Sequence, residues 1–208
     1  MMHGSMAARV CVAAICGISP IGLAATMEFE SVPVGTKYGA DFGHVPGQVV
    51  LTENGIAMSV ENFFFQQFTG FFKAEVTVPA NDHELAIDNI SVLFDVTALP
   101  FNVTSLTLRY AEFGGEDNFA VNGGSILRLS QLTDIPINVA PGMTALVDGG
   151  LIRLTGDVDR VRIGGQELSV DTVVAVPEPT SLVLLGAGGL LLLRRLRGTV
   201  GTSRTSPR

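Results

Sequence analysis

Apolar and polar residues alternate with a period of two along much of the middle of this chain. In Ser105-Leu106-Thr107-Leu108-Arg109-Tyr110 the even positions are apolar and the odd positions are polar. Such a period places alternate side chains on opposite faces of a strand, so that one face can be buried. Short segments rich in Val, Ile, Leu and Thr predict strands at 75–78, 90–96, 105–110, 151–154, 158–163 and 168–174.

Turn-forming residues separate these predicted strands. Gly, Asn, Asp and Pro cluster at 53–55, 79–82, 114–115, 122–124, 141–142, 148–150 and 164–165. No segment combines a sustained period of 3.6 with helix caps, and the sequence has no clear internal repeat. Short strands joined by Gly-rich turns favour an all-β fold. We expect a single jelly-roll-like β-sandwich over residues 26–173.

The N-terminal segment, residues 1–25, is predicted to be a secretory signal peptide. Arg9 is the only charged residue before Glu28, and an apolar stretch fills positions 10–24. Small residues then offer a signal peptidase site after Ala24 or Ala25. The apolar stretch is too short for a stable membrane-spanning helix. Export of the following domain through the inner membrane is the resulting prediction.

The C-terminus carries a second membrane-directed pattern. A Pro-rich linker at 174–179 precedes an apolar run, and a basic tail at 194–208 follows it. An apolar run stopped by arginines is a stop-transfer pattern with the basic side cytoplasmic. The helix predicted at 180–193 would be about 21 Å long, which is less than the ~30 Å hydrocarbon core. The residues that define the pattern are Pro177, Glu178, Pro179, Arg194, Arg195 and Arg197.

This order of Pro-Glu-Pro, Leu/Gly-rich helix and arginines resembles the PEP-CTERM sorting signal of Gram-negative bacteria. The resemblance covers about the last 32 residues. It implies recognition of Pro177, Glu178 and Pro179 by an exosortase-type membrane peptidase, transient membrane contact, and removal of the helix and tail. It also implies a place on the cell surface or in an exopolysaccharide and biofilm matrix. The tail at 198–208 is longer than is usual after the arginines, and a permanent single-pass anchor is the alternative.

Composition narrows the function of the domain between these ends. Residues 26–176 hold seven basic and nineteen acidic side chains, a formal net charge of −12. Such a charge repels polyanions, so nucleic acid is excluded as an expected partner. Both cysteines, Cys11 and Cys16, lie in the predicted signal peptide. Disulfides and a Cys nucleophile are therefore excluded from the exported chain.

The twelve phenylalanines all lie in the domain, six of them between Phe63 and Phe72. A domain without Trp or a disulfide needs large apolar side chains for its core, and Phe can supply them. An exposed aromatic face that binds a ligand is the other interpretation. Three adjacent Phe residues, 63–65, do not all face inward on one strand, so we expect at least one at the surface or at a bulge.

The two ends of the domain resemble the first and last strands of jelly-roll carbohydrate-binding modules. The similar segments are Glu28-Phe29-Glu30 and 163–173. The resemblance implies that the terminal strands pair and that Glu28 or Glu30, with Asp171, holds a structural calcium ion. Calcium prefers several carboxylate and carbonyl oxygens. Solvated strand-end charges are the alternative, and the oxygen-rich segment 115–118 is a further candidate site.

Catalytic motifs do not stand out in the domain. Its two histidines, His44 and His83, have no recognisable partner motif, and HExxH, GxSxG and phosphate-loop patterns are missing. We therefore expect a non-catalytic surface or matrix protein that binds carbohydrate, with no cofactor other than the calcium ion. The alternative is a secreted glycoside hydrolase or other hydrolase with an acidic site, because the spacing of a carboxylate pair is not visible in sequence.

Overall fold

The computed structural model describes residues 23–78 and 82–178, and most of these residues lie in β-strands. No helix within these two ranges is long and apolar enough to cross a membrane. Two short 3-10 helices lie at Ala40–Phe42 and Leu132–Asp134. The strands are β1 (Ala25–Met27), β2 (Lys37–Tyr38), β3 (Val49–Glu53), β4 (Ile56–Glu61), β5 (Phe63–Phe65), β6 (Phe68–Gly70), β7 (Lys73–Thr77), β8 (Glu84–Asp88), β9 (Ile90–Asp95), β10 (Val103–Val121), β11 (Leu127–Leu129), β12 (Asn138–Ala140), β13 (Met143–Asp148), β14 (Leu151–Thr155) and β15 (Arg160–Pro177).

Two long strands, β10 and β15, form the spine of the fold. They pair along almost their whole length, from Val103 opposite Pro177 to Val121 opposite Val161. On its other edge β15 pairs with β9, β8 and β1, while β10 pairs with β11 and β14. These pairs are all antiparallel, which confirms the all-β prediction.

Each long strand changes neighbours part-way along, so the shorter strands fall into two groups. One group, β3, β4 and β9, joins the first half of β15. The other group contains β2, β7 and β8 on the β15 side and β12, β13 and β14 on the β10 side. Inward side chains from both groups, such as Met58 and Phe94 or Leu106 and Ile152, form one hydrophobic cluster. A single core therefore joins the two groups.

The strand β10 changes the parity of its buried positions at a bulge. From Leu106 to Tyr110 the core residues are even-numbered, whereas after the bulge they are odd-numbered, as at Phe119 and Val121. Register shifts against β15 lie on both sides of Gly114, as far as Asp117. Gly114 has a φ of 139°, which other residues rarely adopt. A bulge inserts an extra residue into the strand, so the side chains that face the core change from even-numbered to odd-numbered positions.

Two glycine pairs that were expected to form turns lie inside strands instead. Gly114–Gly115 belongs to β10 and Gly164–Gly165 belongs to β15. A Cβ atom on Gly164 would come within 2.7 Å of the Cα atom of Ser91 on β9. Glycine is present here because two backbones approach closely, not because the chain turns. The segments 158–163 and 168–174, predicted as two strands, are consequently parts of the single strand β15.

The other predicted strands match observed ones to within a few residues. They correspond to β7, β9, the first half of β10, and β14. The alternation predicted at 105–110 is confirmed, since Leu106, Leu108 and Tyr110 are buried. Period-two patterning was sufficient at these positions because each strand buries one face.

The phenylalanines divide between the core and the surface. Phe94 and Phe119 are fully buried in the core cluster. In the Phe-rich segment, Phe63 is fully buried, whereas Phe68 is 70% exposed. Phe64 and Phe65 are half-buried. The expectation that 63–65 would not all face inward is confirmed, and the segment supplies both core and surface side chains.

Candidate functional site

The predicted sorting segment begins where the sheet ends. Pro177 is the last residue of β15 and lies opposite Val103 of β10. Glu178 follows it without regular structure. The signal peptide predicted at 1–25 is described only from Leu23 onward. The remaining residues of the predicted sorting signal lie outside the described ranges; they are Pro179, the predicted helix at 180–193, and Arg194, Arg195 and Arg197.

The last strand continues beyond residue 173, where the domain was expected to end. Ala175 pairs with Leu106 on one side and with Ala25 of β1 on the other. The Ala175 side chain is fully buried. Most of the linker predicted at 174–179 is therefore strand, and its first unpaired residue is Glu178.

The three predicted calcium ligands contact different neighbours. Glu30 accepts a hydrogen bond from the backbone N–H of His83 at 2.8 Å. Asp171 lies 3.5 Å from Arg109 in an ion pair, and Glu28 is exposed. The terminal strands β1 and β15 do pair, as the resemblance implies. Within residues 23–78 and 82–178 no three His, Cys, Asp or Glu side chains are grouped to hold a metal ion. The calcium site stays a prediction.

The second candidate segment, 115–118, belongs to the bulged part of β10 and contains a buried acid. Asp117 is fully buried, and within the described chain neither of its carboxyl oxygens has a hydrogen-bond partner. Burial raises the pKa of Asp117 to about 8, and the neighbouring carboxylate of Glu112 adds to the increase. Glu112 accepts a hydrogen bond from the backbone N–H of Leu132 at 3.1 Å. The raised pKa favours the protonated form of Asp117, whose side chain is shielded from solvent.

A hairpin formed by β5 and β6 is fastened to the sheet by polar side chains. The side-chain oxygen of Asn118 accepts a hydrogen bond from the Phe64 N–H at 2.7 Å. The side-chain amide of Asn118 donates to the Phe64 carbonyl at 2.9 Å. Arg128 donates to the carbonyl of Gln66, in the hairpin turn, at 2.7 Å. These bonds satisfy backbone groups that a two-stranded hairpin leaves unpaired at its edge.

Two arginines lie against the ring of Phe64. The guanidinium carbons of Arg128 and Arg162 are 5.8 Å and 5.5 Å from the ring centroid, within cation–π range. Arg162 also donates to the carbonyl of Asn62 and lies 3.8 Å from the carboxylate of Glu61. Burial lowers the pKa of Arg162, although the Glu61 charge counteracts this effect. Arg162 is thereby held in one position beside the hairpin.

An open depression with a volume of about 340 Å³ lies on this side of the sheet, and we call it the arginine depression. Arg160 and Arg162 are two residues apart on β15, so their side chains lie on the same face of the strand. The Nε atom of Arg160 donates to Asp95 at 2.7 Å. Burial alone would raise the pKa of Asp95, but hydrogen bonds from Thr97 and Arg160 outweigh it and lower the pKa. The lining residues are Glu61, Leu93, Ala120, Gly123, Gly124, Ile126, Arg160 and Arg162.

A second cavity, of about 330 Å³, lies between the loops at 96–103 and 157–159. Its wall includes Val103, the residue opposite Pro177. The charged side chains in its lining are Asp157 and Asp159, so it presents no cation to a ligand. The arginine depression is consequently the better candidate for an anionic ligand.

Both histidines of the domain contact backbone groups. His44 accepts a hydrogen bond from the N–H of Gly39 at 3.3 Å. The ring of His83 lies 3.1 Å from the carbonyl of Phe29. All four residues in these contacts lie in loops, so each histidine joins one loop residue to another.

Sequence reasoning missed the arginine depression. The spacing of Arg160 and Arg162 was a visible signal, since residues two apart share a strand face. Glu61 and Leu93 come from β4 and β9, and only the pairing of β4 with β9 and of β9 with β15 brings them beside the arginines. Contacts of this kind between distant strands are not encoded in a local pattern.

Comparisons with known proteins give no match to this chain among family models, curated proteins or solved structures. Its function is therefore inferred from its own residues and their geometry.

Proposed function

We propose that the protein is a non-catalytic exported protein of the cell surface or extracellular matrix, sorted by its C-terminal Pro-Glu-Pro segment. The observation that carries the proposal is the position of that segment. The sheet ends at Pro177, and Glu178 follows it unpaired. Proline fixes φ and has no backbone donor, so Pro177 and Pro179 disfavour continuation of the strand ladder.

An extended, unpaired segment is what the groove of a peptidase binds. The residue before a proline is biased to extended backbone, which applies to Glu178 before Pro179. The proposed partner is an exosortase-type membrane peptidase that acts while the helix at 180–193 holds the chain transiently in the membrane. The arginines at 194–197 would stop translocation at that point.

Signal peptidase is the partner proposed for the N-terminus, and the structure favours one of its two candidate sites. Ala25 is buried in β1 and pairs with Ala175. Cleavage after Ala24 leaves the whole of β1 in the exported chain, whereas cleavage after Ala25 removes its first residue. We therefore propose Ala24 as the last residue of the signal peptide.

The exported domain is proposed to be a jelly-roll-like sandwich that binds polysaccharide. Antiparallel pairing of the first and last strands, β1 and β15, supports the jelly-roll part of the proposal. The arginine depression supports the binding part, because its volume is at the lower end of the range for ligand pockets, roughly 300–1,000 Å³.

The hydrolase alternative has less support. A raised carboxyl pKa is typical of a general acid, and Asp117 has one. However, Asp117 is fully buried in the bulged part of β10 and does not line the arginine depression. A general acid has to reach the substrate, so this carboxyl group does not favour catalysis.

Replacement of Pro177, Glu178 and Pro179 by Ala tests the sorting proposal. We expect the triple variant to remain uncut in the membrane fraction of its host, while the wild-type chain appears at the surface or in the medium. Pro46→Ala, in an exposed loop, is the matched control and should be sorted normally. Release of the triple variant in the same amount as the wild type would contradict the proposal.

A further inference from the structure

We propose that the arginine depression binds a carboxylated sugar of the hexuronate class. This inference rests on the proposed polysaccharide-binding function and names the chemistry of the ligand. It follows from the clustering of arginines, the free donors of Arg160, and the mixed polar and apolar lining of the depression.

The depression and its border bring several arginines together in an acidic domain. Residues 26–176 carry a formal charge of −12 with only seven basic side chains. Three of those seven, Arg128, Arg160 and Arg162, lie around the β5–β6 hairpin and the depression beside it. Arg160 and Arg162 each pair with one carboxylate, that of Asp95 and that of Glu61, while Arg128 forms no ion pair within the described residues. An anionic group is repelled by most of this surface, so a local cluster of cations decides where it can bind.

Arg160, one of the two arginines of the lining, has donors to spare. Within the described residues, Arg160 uses only its Nε atom, toward Asp95, and its side chain is 49% exposed. The two terminal nitrogens of Arg160 are therefore free to donate to a ligand, whereas Arg162 donates to Asn62, lies beside Glu61 and has its Nε atom buried. The planar guanidinium group matches a carboxylate through two parallel hydrogen bonds. A carboxylate is therefore the ligand group that these side chains fit best.

The remaining lining suits the hydroxyl groups and the C–H face of a sugar ring. Glu61 can accept hydrogen bonds from sugar hydroxyls, and it already lies near Arg162. Leu93 and Ile126 supply apolar surface against which ring C–H groups can pack. A small inorganic anion would use the arginines but would leave Glu61 and the apolar wall without contacts.

Binding of galacturonate trisaccharide, with neutral galactose trisaccharide as the comparison, tests the proposal by calorimetry. The protein is the full chain expressed in and purified from its host. We expect the acidic trisaccharide to bind more tightly, and its affinity to fall with added salt. Arg160→Gln should weaken that binding by roughly tenfold or more, because a charge-assisted pair is lost. Arg153→Gln, at an exposed position of β14, is the matched control and should bind as the wild type does.

A substitution that is expected to strengthen binding separates an effect on the ligand from damage to the fold. Glu61→Gln removes the carboxylate that competes for Arg162, so it should tighten binding of galacturonate several-fold. Arg162→Lys keeps the positive charge but loses the planar guanidinium group, and it should weaken binding. Equal affinity for the acidic and neutral sugars, or unchanged affinity in Arg160→Gln, would overturn the carboxylate claim while leaving polysaccharide binding intact. Failure of both sugars to bind would overturn the claim as well, whereas the sorting proposal is judged separately by C-terminal processing.

Discussion

The side chain of Asn118 forms two hydrogen bonds with the backbone of Phe64, one as acceptor at 2.7 Å and one as donor at 2.9 Å. Asn118 thereby occupies the place of a partner strand for one residue of the β5–β6 hairpin. The hairpin carries the exposed ring of Phe68 and borders the arginine depression through Asn62 and Arg162. The position of the hairpin thus depends on one amide group that is itself fully buried.

Asn118→Ala should destabilise the domain and loosen the hairpin. Two hydrogen bonds are lost and the backbone groups of Phe64 are left without partners, which costs about 1–3 kcal/mol. Urea unfolding gives the loss in free energy of unfolding, and amide hydrogen exchange at Phe64 reports the hairpin. Asn102→Ala, at an exposed loop position, is the control and should change neither quantity. Unchanged protection of the Phe64 amide in Asn118→Ala would show that the hairpin does not depend on this side chain.

Asp117 should make the stability of the domain fall as the pH rises. Its pKa is raised to about 8 in the folded state, while an unfolded Asp titrates at about 3.9. Between these values the folded chain holds a proton that the unfolded chain has released. The free energy of unfolding therefore decreases with pH in this window, by at most about 1.4 kcal/mol per unit, and is level above it.

Asp117→Asn separates this effect from every other titrating group. The amide is neutral at all pH values and can donate a hydrogen bond toward Glu112, so the variant should lose the decrease between about pH 4 and pH 8. Asp148→Asn, at an exposed position, is the control and should keep the wild-type profile. Denaturant unfolding across that pH range measures the difference. Parallel profiles for the wild type and Asp117→Asn would mean that Asp117 is ionised in the folded protein.

Gly164→Ala should disrupt the contact between β9 and β15. The added Cβ atom would lie 2.7 Å from the Cα atom of Ser91, where backbone has to move. Overpacking of this kind costs about 1–3 kcal/mol. In Gly124→Ala the nearest atom to the new Cβ is 3.1 Å away, so the loss should be smaller. Thermal unfolding ranks the two variants, and equal stability of Gly164→Ala and the wild type would rule out the close approach.

The calcium prediction is tested by thermal unfolding with calcium and with a chelator. If Glu28 or Glu30 and Asp171 hold calcium, the ion should add about 2.7 kcal/mol at a concentration of a hundred times Kd. Asp171→Asn should abolish this gain. Since Asp171 forms an ion pair with Arg109, calcium would have to displace that guanidinium group. Equal midpoints with calcium and chelator would remove the proposed metal site.

The sequence was sufficient to predict an all-β fold, but it did not predict how most of the strands pair with each other. Leu106, Leu108 and Tyr110 alternate with polar residues, and this local signal identified both the strand and its buried face. The glycines at 164–165 carry a signal that fits either a turn or a close backbone approach, and only the position of Ser91 decides between them.

The candidate site was less predictable for the same physical reason. Arg160 and Arg162 lie on one strand, but Glu61 reaches them through two further strands, β4 and β9. The raised pKa of Asp117 likewise depends on burial under a bulge and on Glu112, five positions earlier in the chain. Properties that depend on pairing between distant strands and on burial can be identified only in the folded structure.

Intact-mass analysis of the protein from its native host tests the sorting proposal most directly. We expect a main species that ends near Glu178 and lacks residues 182–208, because the unpaired segment after Pro177 is proposed as the cleavage site. A main species that still contains Arg194 and Arg195 would contradict exosortase processing and would favour a permanent membrane anchor.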